Sequence, residues 1–138
     1  MKNIEVINLW RTLNEVNFGD VSPRFTLKKA KIKKKLDEFI EPFKAVDEEI
    51  EKIRQEALAL VEKDENGNPI IENGNYKVVE ENSKKFDELI KKFSEKSKAR
   101  DELLQEDADI ELEKLPLSEF PEKMNDKQTE ALLPIIEE

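Results

Sequence analysis

The chain has 138 residues, the size of one ordinary domain, and 41% of them are charged, against ~25% in a typical soluble domain. It holds no cysteine and no histidine, which excludes disulfides, thiolate metal sites, cysteine nucleophiles and imidazole acid–base chemistry. The net charge is −9, the mean hydropathy is −0.75, and no stretch approaches the ~18 apolar residues of a membrane span.

The first residues, MKNIEVINLWRTLNEV, lack the uninterrupted apolar run of a signal peptide, so the expectation is an acidic protein of the cytoplasm. Its apolar residues fall in periodic clusters, which argues for a folded and elongated helical protein. Ile4, Ile7, Trp10 and Leu13 predict a short amphipathic helix over 3–17, ended by Asn17, Phe18, Gly19 and Asp20. Ser22 before Pro23 reads as an N-cap with proline at the first helical position.

A long helix is predicted over 23–63. Ile32, Leu36, Phe39, Phe43, Val46, Ile50, Ile53, Ala57 and Leu60 alternate spacings of four and three, a 3.5-residue period that only a second helix can bury. Pro42 removes one amide from this helix, but the period passes through it without a skip, so a bend is expected and not a break. Asn73-Gly74, between Ile70-Ile71 and Tyr76–Val79, predicts a two-residue β-hairpin over 69–79. Asn82 then caps a return helix over 83–104, with Phe86, Leu89, Ile90, Phe93, Leu103 and Leu104 as its apolar face. Ser97 and Arg100 interrupt that face, and packing is expected to loosen there.

The alternation of Ile110 and Leu112 with carboxylates predicts a short half-exposed strand at 108–113. Asn125 or Asp126 caps a last short helix through Leu132 and Leu133, bent by Pro134. The fold class is therefore mainly α. It is a single domain, 1–138, built on an antiparallel, coiled-coil-like helical hairpin with a β-hairpin at its turn. A short N-terminal helix precedes it, and a short acidic strand plus helix at 108–138 follows.

In such a hairpin, residues whose numbers sum to about 144 lie close together. That places Lys28, Lys29, Lys31, Lys33, Lys34 and Lys35 beside the acidic segment 101–113, and an internal charge match is expected. The match argues against nucleic-acid binding by the lysines, as does the lack of aromatics among them. Asp64, Asn66 and Asn68 imitate the start of a calcium loop. Pro69 stands where the loop needs glycine and Asn75 where it needs glutamate, so the reading is turn chemistry and no metal. With three glycines, no G-x-S-x-G and no phosphate loop, the expectation is no catalysis and no cofactor.

Contact with a protein partner is expected instead. The candidate residues are Trp10 and Phe18 as aromatic anchors, with burial of Trp10 under the N-terminal helix as the competing reading. Two acidic clusters suit a basic partner: Asp47, Glu48, Glu49 and Glu51, and Asp101, Glu102, Glu106, Asp107 and Asp109. Open edges of the short strands can also accept a partner's strand. Ile40, Leu58 and Val61 lie outside the seam and suggest an apolar stripe left over for self-association.

The lysine-rich helix start, DENGNP at 64–69, NGNYKV at 73–78, DIELEKLPLSEF at 109–120 and the ending Gln128, Ala131, Leu132, Pro134, Ile136, Glu137 and Glu138 carry a resemblance. Over nearly its whole length the chain resembles a family of short proteins of unknown function encoded by phages and prophages of Gram-positive bacteria. The resemblance supplies no catalytic residues. It implies a phage-encoded protein acting in the infected cytoplasm or during virion assembly. The expected function is a non-catalytic interaction factor that occupies a partner surface, with inhibition of a host defence system as its purpose. The alternatives are a tail or head assembly chaperone, a structural virion component and, as a minor one, nucleic-acid binding through the 28–35 lysine run.

Overall fold

A computed structural model describes all 138 residues. The chain is mainly helical and forms an antiparallel helical hairpin with a β-hairpin at its turn. The chain divides into two compact units, Met1–Phe43 with Leu103–Glu138, and Lys44–Glu102.

In the first unit, α1 (Asn3–Glu15) stops two residues short of the prediction, at a Val16 whose backbone is extended. The long helix α2 (Pro23–Leu58) starts as predicted. The Ser22 hydroxyl accepts the Phe25 amide at 3.2 Å, the geometry of an N-cap on its third helical residue. The core joins Val6, Leu9 and Leu13 of α1 to Phe25, Ile32 and Leu36 of α2 and to Leu115, Leu132 and Ile135 from the C-terminal segment. Phe18, Phe25 and Phe120 meet at ring-centroid distances of 5.4–5.7 Å, tilted or edge-to-face as aromatic quadrupoles favour. A second cluster packs Ile7, Ile40 and Leu104, with Phe39 and Phe43 at its side.

The strand predicted at 108–113 does not form. Ala108, Ile110 and Leu112 pack against the core while the carboxylates between them are exposed, so the period-two pattern marks an extended segment that pairs with no strand. The actual strand is β3 (Leu115–Pro116), parallel to β4 (Ile136–Glu137), with Leu115 opposite Ile136. Between them α4 (Asp126–Leu132) carries the predicted cap. The Asn125 side chain accepts the Gln128 amide at 2.8 Å, and Gln128 returns a bond to the Asn125 amide. Pro134 ends the helix in one 3₁₀ turn.

In the second unit, α2 ends at Leu58 instead of residue 63. Residues 61–63 leave the helix to close the base of the β-hairpin: Glu62 donates to the Lys77 carbonyl at 2.8 Å and accepts the Ile70 amide at 2.8 Å. Val61 and Lys63 bridge to Val78 and Pro69. These bonds replace those a further helical turn would make. The strands β1 (Ile71–Glu72) and β2 (Asn75–Tyr76) pair antiparallel around Asn73-Gly74, whose φ angles of 51° and 79° are those of a primed turn. Asp64 accepts the amides of Asn66 and Asn68 at 2.9 and 3.0 Å, a turn-forming use of its carboxylate.

The return helix α3 (Glu80–Leu104) begins three residues early, with the Val79 carbonyl bonded to the Asn82 amide, so Asn82 is inside the helix and not its cap. Asn82, Phe86, Leu89, Phe93, Lys96, Arg100 and Leu103 are half-buried at spacings of four and three. Arg100 pairs with Asp47, and Lys96 with Glu49 at 2.5 Å. The loosening expected near Arg100 is replaced by these ion pairs, whose partners obey the antiparallel register.

Candidate functional site

Of the two predicted aromatic anchors, Phe18 is 9% exposed and lies in the three-phenylalanine cluster. Trp10 is half-buried between the two core clusters, and its Nε1 donates to Asp37 Oδ1 at 2.8 Å. Its indole is thus tied to α2.

The acidic candidates divide. Asp47 and Glu49 are bound to Arg100 and Lys96 of α3. The Lys96 hydrogen bond, and then the Lys96 charge, draw the Glu49 pKa below the ordinary carboxylate value. Glu51 accepts bonds from Arg54 and Gln55 on its own helix, and the Arg54 bond is the main reason its pKa falls to about 2. Glu48 is exposed on α2, and Asp101 and Glu102 are exposed near the end of α3. Glu106, Asp107 and Asp109 are exposed in side chain, while the backbone of this stretch is tied to the N-terminus. The Glu106 carbonyl accepts the Asn3 amide at 2.9 Å, and Asp107 bridges to Lys2.

The expected charge match between the lysine run and 101–113 is also corrected. The segment does lie along α2, since Lys35 Nζ donates to the Glu111 carbonyl at 3.1 Å. That bond reaches the backbone, however, and none of the six lysines forms an ion pair with an acidic side chain. Lys29 lies 4.4 Å over the Phe18 ring. Its partial burial, and then the Lys33 charge, lower its pKa from the ordinary lysine value. Lys31, Lys34 and Lys35 line a groove of about 320 Å³ together with Ile32, Glu38 and Glu113.

The residues left over for self-association are mostly used inside the fold. Ile40 and Val61 are buried, the first against Ile7 and Leu104, the second in its bridge to Val78.

Sequence reasoning missed the most apolar exposed feature of the second unit. Ile71 and Tyr76 are directly opposed across the β-hairpin, so their side chains share one face of it. Together with Val78, Phe86 and Ile90 they line a groove of about 630 Å³ between the hairpin and α3. Ile71 is 62% exposed, Tyr76 45% and Ile90 42%. Ile90 was expected in the seam, but it follows Leu89 by one residue and points about 100° away from it. Lys77 stands at the hairpin's base within 3.6 Å of both Glu72 and Glu62, whose charges raise its pKa, Glu72 the more. The spacing could not decide it: three then four from Phe86 to Phe93 selects Leu89, while four then three selects Ile90.

Compared with protein-family models, with curated proteins and with solved structures, the chain finds no match in any of the three.

Proposed function

We propose that this protein is a non-catalytic interaction factor that works by occupying a surface on another protein, with the hairpin groove of the second unit as its point of contact. The observation that carries the reading is the exposed set Ile71, Tyr76 and Ile90 around the half-buried Phe86. Exposed apolar side chains gathered in one groove favour a partner that covers them, and an aromatic among them suits an anchor of binding energy. The rigid turn at Asn73-Gly74 presents the pair without a large ordering cost. The resemblance to phage-encoded proteins supports a partner in the infected cell, and a small acidic protein of this kind suits masking of a host defence component.

The test is affinity capture from infected-host lysate with the wild-type chain and with an Ile71→Asp, Ile90→Glu variant, followed by mass spectrometry. The reading expects one or a few host proteins that the variant fails to retain. Recovery of phage tail or head proteins alone, lost in the variant, identifies the assembly chaperone instead. Partners retained equally by both chains would remove the groove from the account.

A further inference from the structure

We infer that the lysine-rich side of α2 binds the phosphate backbone of a nucleic-acid duplex, a role independent of the hairpin groove. Arg24, Lys28, Lys31 and Lys35 recur at spacings of four, three and four, so they stand in one row along the helix, with Lys34 beside them. At ~1.5 Å per residue the row is about 16 Å long, and a duplex of that length presents phosphates every ~3.4 Å on each strand. No aspartate or glutamate occurs between Asp20 and Asp37.

The internal carboxylates that would cancel this charge are near but not engaged. The side chains of Lys28, Lys31, Lys33 and Lys34 take part in no ion pair and no hydrogen bond. Holding like charges this close without partners opposes folding, and a chain of net charge −9 has carboxylates to spare for neutralising them. The segment 108–113 even lies along α2, yet it offers Lys35 a backbone carbonyl. Lysines kept unpaired beside available acids remain open to an outside anion.

The choice of anion follows from what accompanies the lysines. No aromatic side chain is interleaved among Lys28–Lys35, so bases have nothing to stack on and a single strand gains little over a duplex. Leu27 is the one large apolar side chain exposed in this stretch, too little for a protein partner to bury. What the row offers is repeated positive charge, read as phosphate and without base sequence. Glu38 and Glu113 line the groove beside Lys31 and Lys34 and bound the row at that end.

The experiment is fluorescence anisotropy of a short labelled DNA duplex titrated with the full chain at increasing salt. Engagement of about four phosphates lowers the affinity by about 10²-fold over a fourfold rise in salt. The Lys28→Gln, Lys31→Gln, Lys34→Gln variant, checked for an unchanged melting temperature, should flatten the slope of log affinity on log salt by about 2 to 3. Absence of binding by the wild-type chain at the lowest salt overturns the inference. So does equal binding by the variant. A polyglutamate peptide that binds as tightly, with the same dependence on the three lysines, assigns the row to an acidic protein and overturns it too.

Discussion

Ser22 and Glu119, 97 residues apart in the chain, are joined by two hydrogen bonds: the Ser22 amide donates to Glu119 Oε1 at 2.7 Å and its hydroxyl to Oε2 at 3.0 Å. The same hydroxyl accepts the Phe25 amide, so one serine both caps α2 and ties the C-terminal segment to it. A half-buried carboxylate that accepts two such bonds is worth more than an exposed one, because each bond is charge-assisted.

Removing that carboxylate should therefore be costly. Glu119→Ala is expected to lower stability by about 1.5–3 kcal/mol and Ser22→Ala by about 1–2 kcal/mol, by urea denaturation. Since both remove the same contact, the double variant should lose less than the two effects combined, by about 1 kcal/mol. Additive losses would show that the two residues act separately.

The three-phenylalanine cluster makes a second, larger prediction. Phe25 is 1% exposed and touches both other rings, so Phe25→Ala leaves a cavity in the middle of the core and should cost about 3–5 kcal/mol. Phe18 lies at the cluster's edge, and Phe18→Ala should cost less. A Phe25→Ala chain that melts within a degree or two of wild type would contradict the packing described for the first unit.

How much of this was legible beforehand depends on which kind of signal each residue carried. The α2 seam was legible because periodicity is a property of one helix, and all nine of its predicted members are buried or half-buried. The turn at Asn73-Gly74 was legible because only a positive-φ pair suits it. Ile110 and Leu112 were read as the inner face of a half-exposed segment, but no local pattern says what an extended segment pairs with, and here it pairs with no strand. Arg100 looked like an interruption because an apolar count ignores long side chains that bury their stems and hold a charge at the rim. The candidate surfaces were the least legible. Phe18 lies in a core that the N-terminal helix, α2 and the C-terminal segment build together, and the unpaired lysines depend on where 108–113 turns its side chains.

The register of the hairpin gives a third prediction. Arg100 with Asp47, and Lys96 with Glu49, fix which turns of α2 and α3 face each other. Their side chains are about one-third to one-half exposed, so solvent screens them and each pair contributes only about 0.2–1 kcal/mol. Asp47→Arg should lower the melting temperature slightly through the like charge it places beside Arg100. Adding Arg100→Asp should restore it, and a double variant no better than the single would break the assigned pairing.

Gly74 supplies a purely conformational test. Its φ is 79°, and a Cβ built there meets nothing within 4 Å. Gly74→Ala therefore costs backbone strain alone, about 1–2 kcal/mol, with no clash to relieve. Because Ile71 and Tyr76 depend on this turn for their shared face, the same substitution should weaken capture of a partner more than it lowers the melting temperature. Equal partner retention would show that the groove forms without the primed turn.

Glu51 sets a dependence on pH with a definite sign. Its carboxylate accepts from Arg54 at 2.6 and 2.9 Å and from Gln55 at 2.8 Å, and these bonds hold its pKa at about 2, below the ordinary 4.5. A group whose folded pKa is depressed stabilises the folded state above its unfolded pKa and loses that contribution as pH falls through the folded value. The contribution is thus complete above about pH 4.5 and fades towards about pH 2. Carbon-detected NMR titration should find the Glu51 carboxyl of the unaltered chain still ionised well below pH 4.5. Arg54→Ala, which removes the main cause, should raise that titration towards the ordinary glutamate value. If Glu51 already titrates near 4.5 in the unaltered chain, the Arg54 bond does not persist in solution.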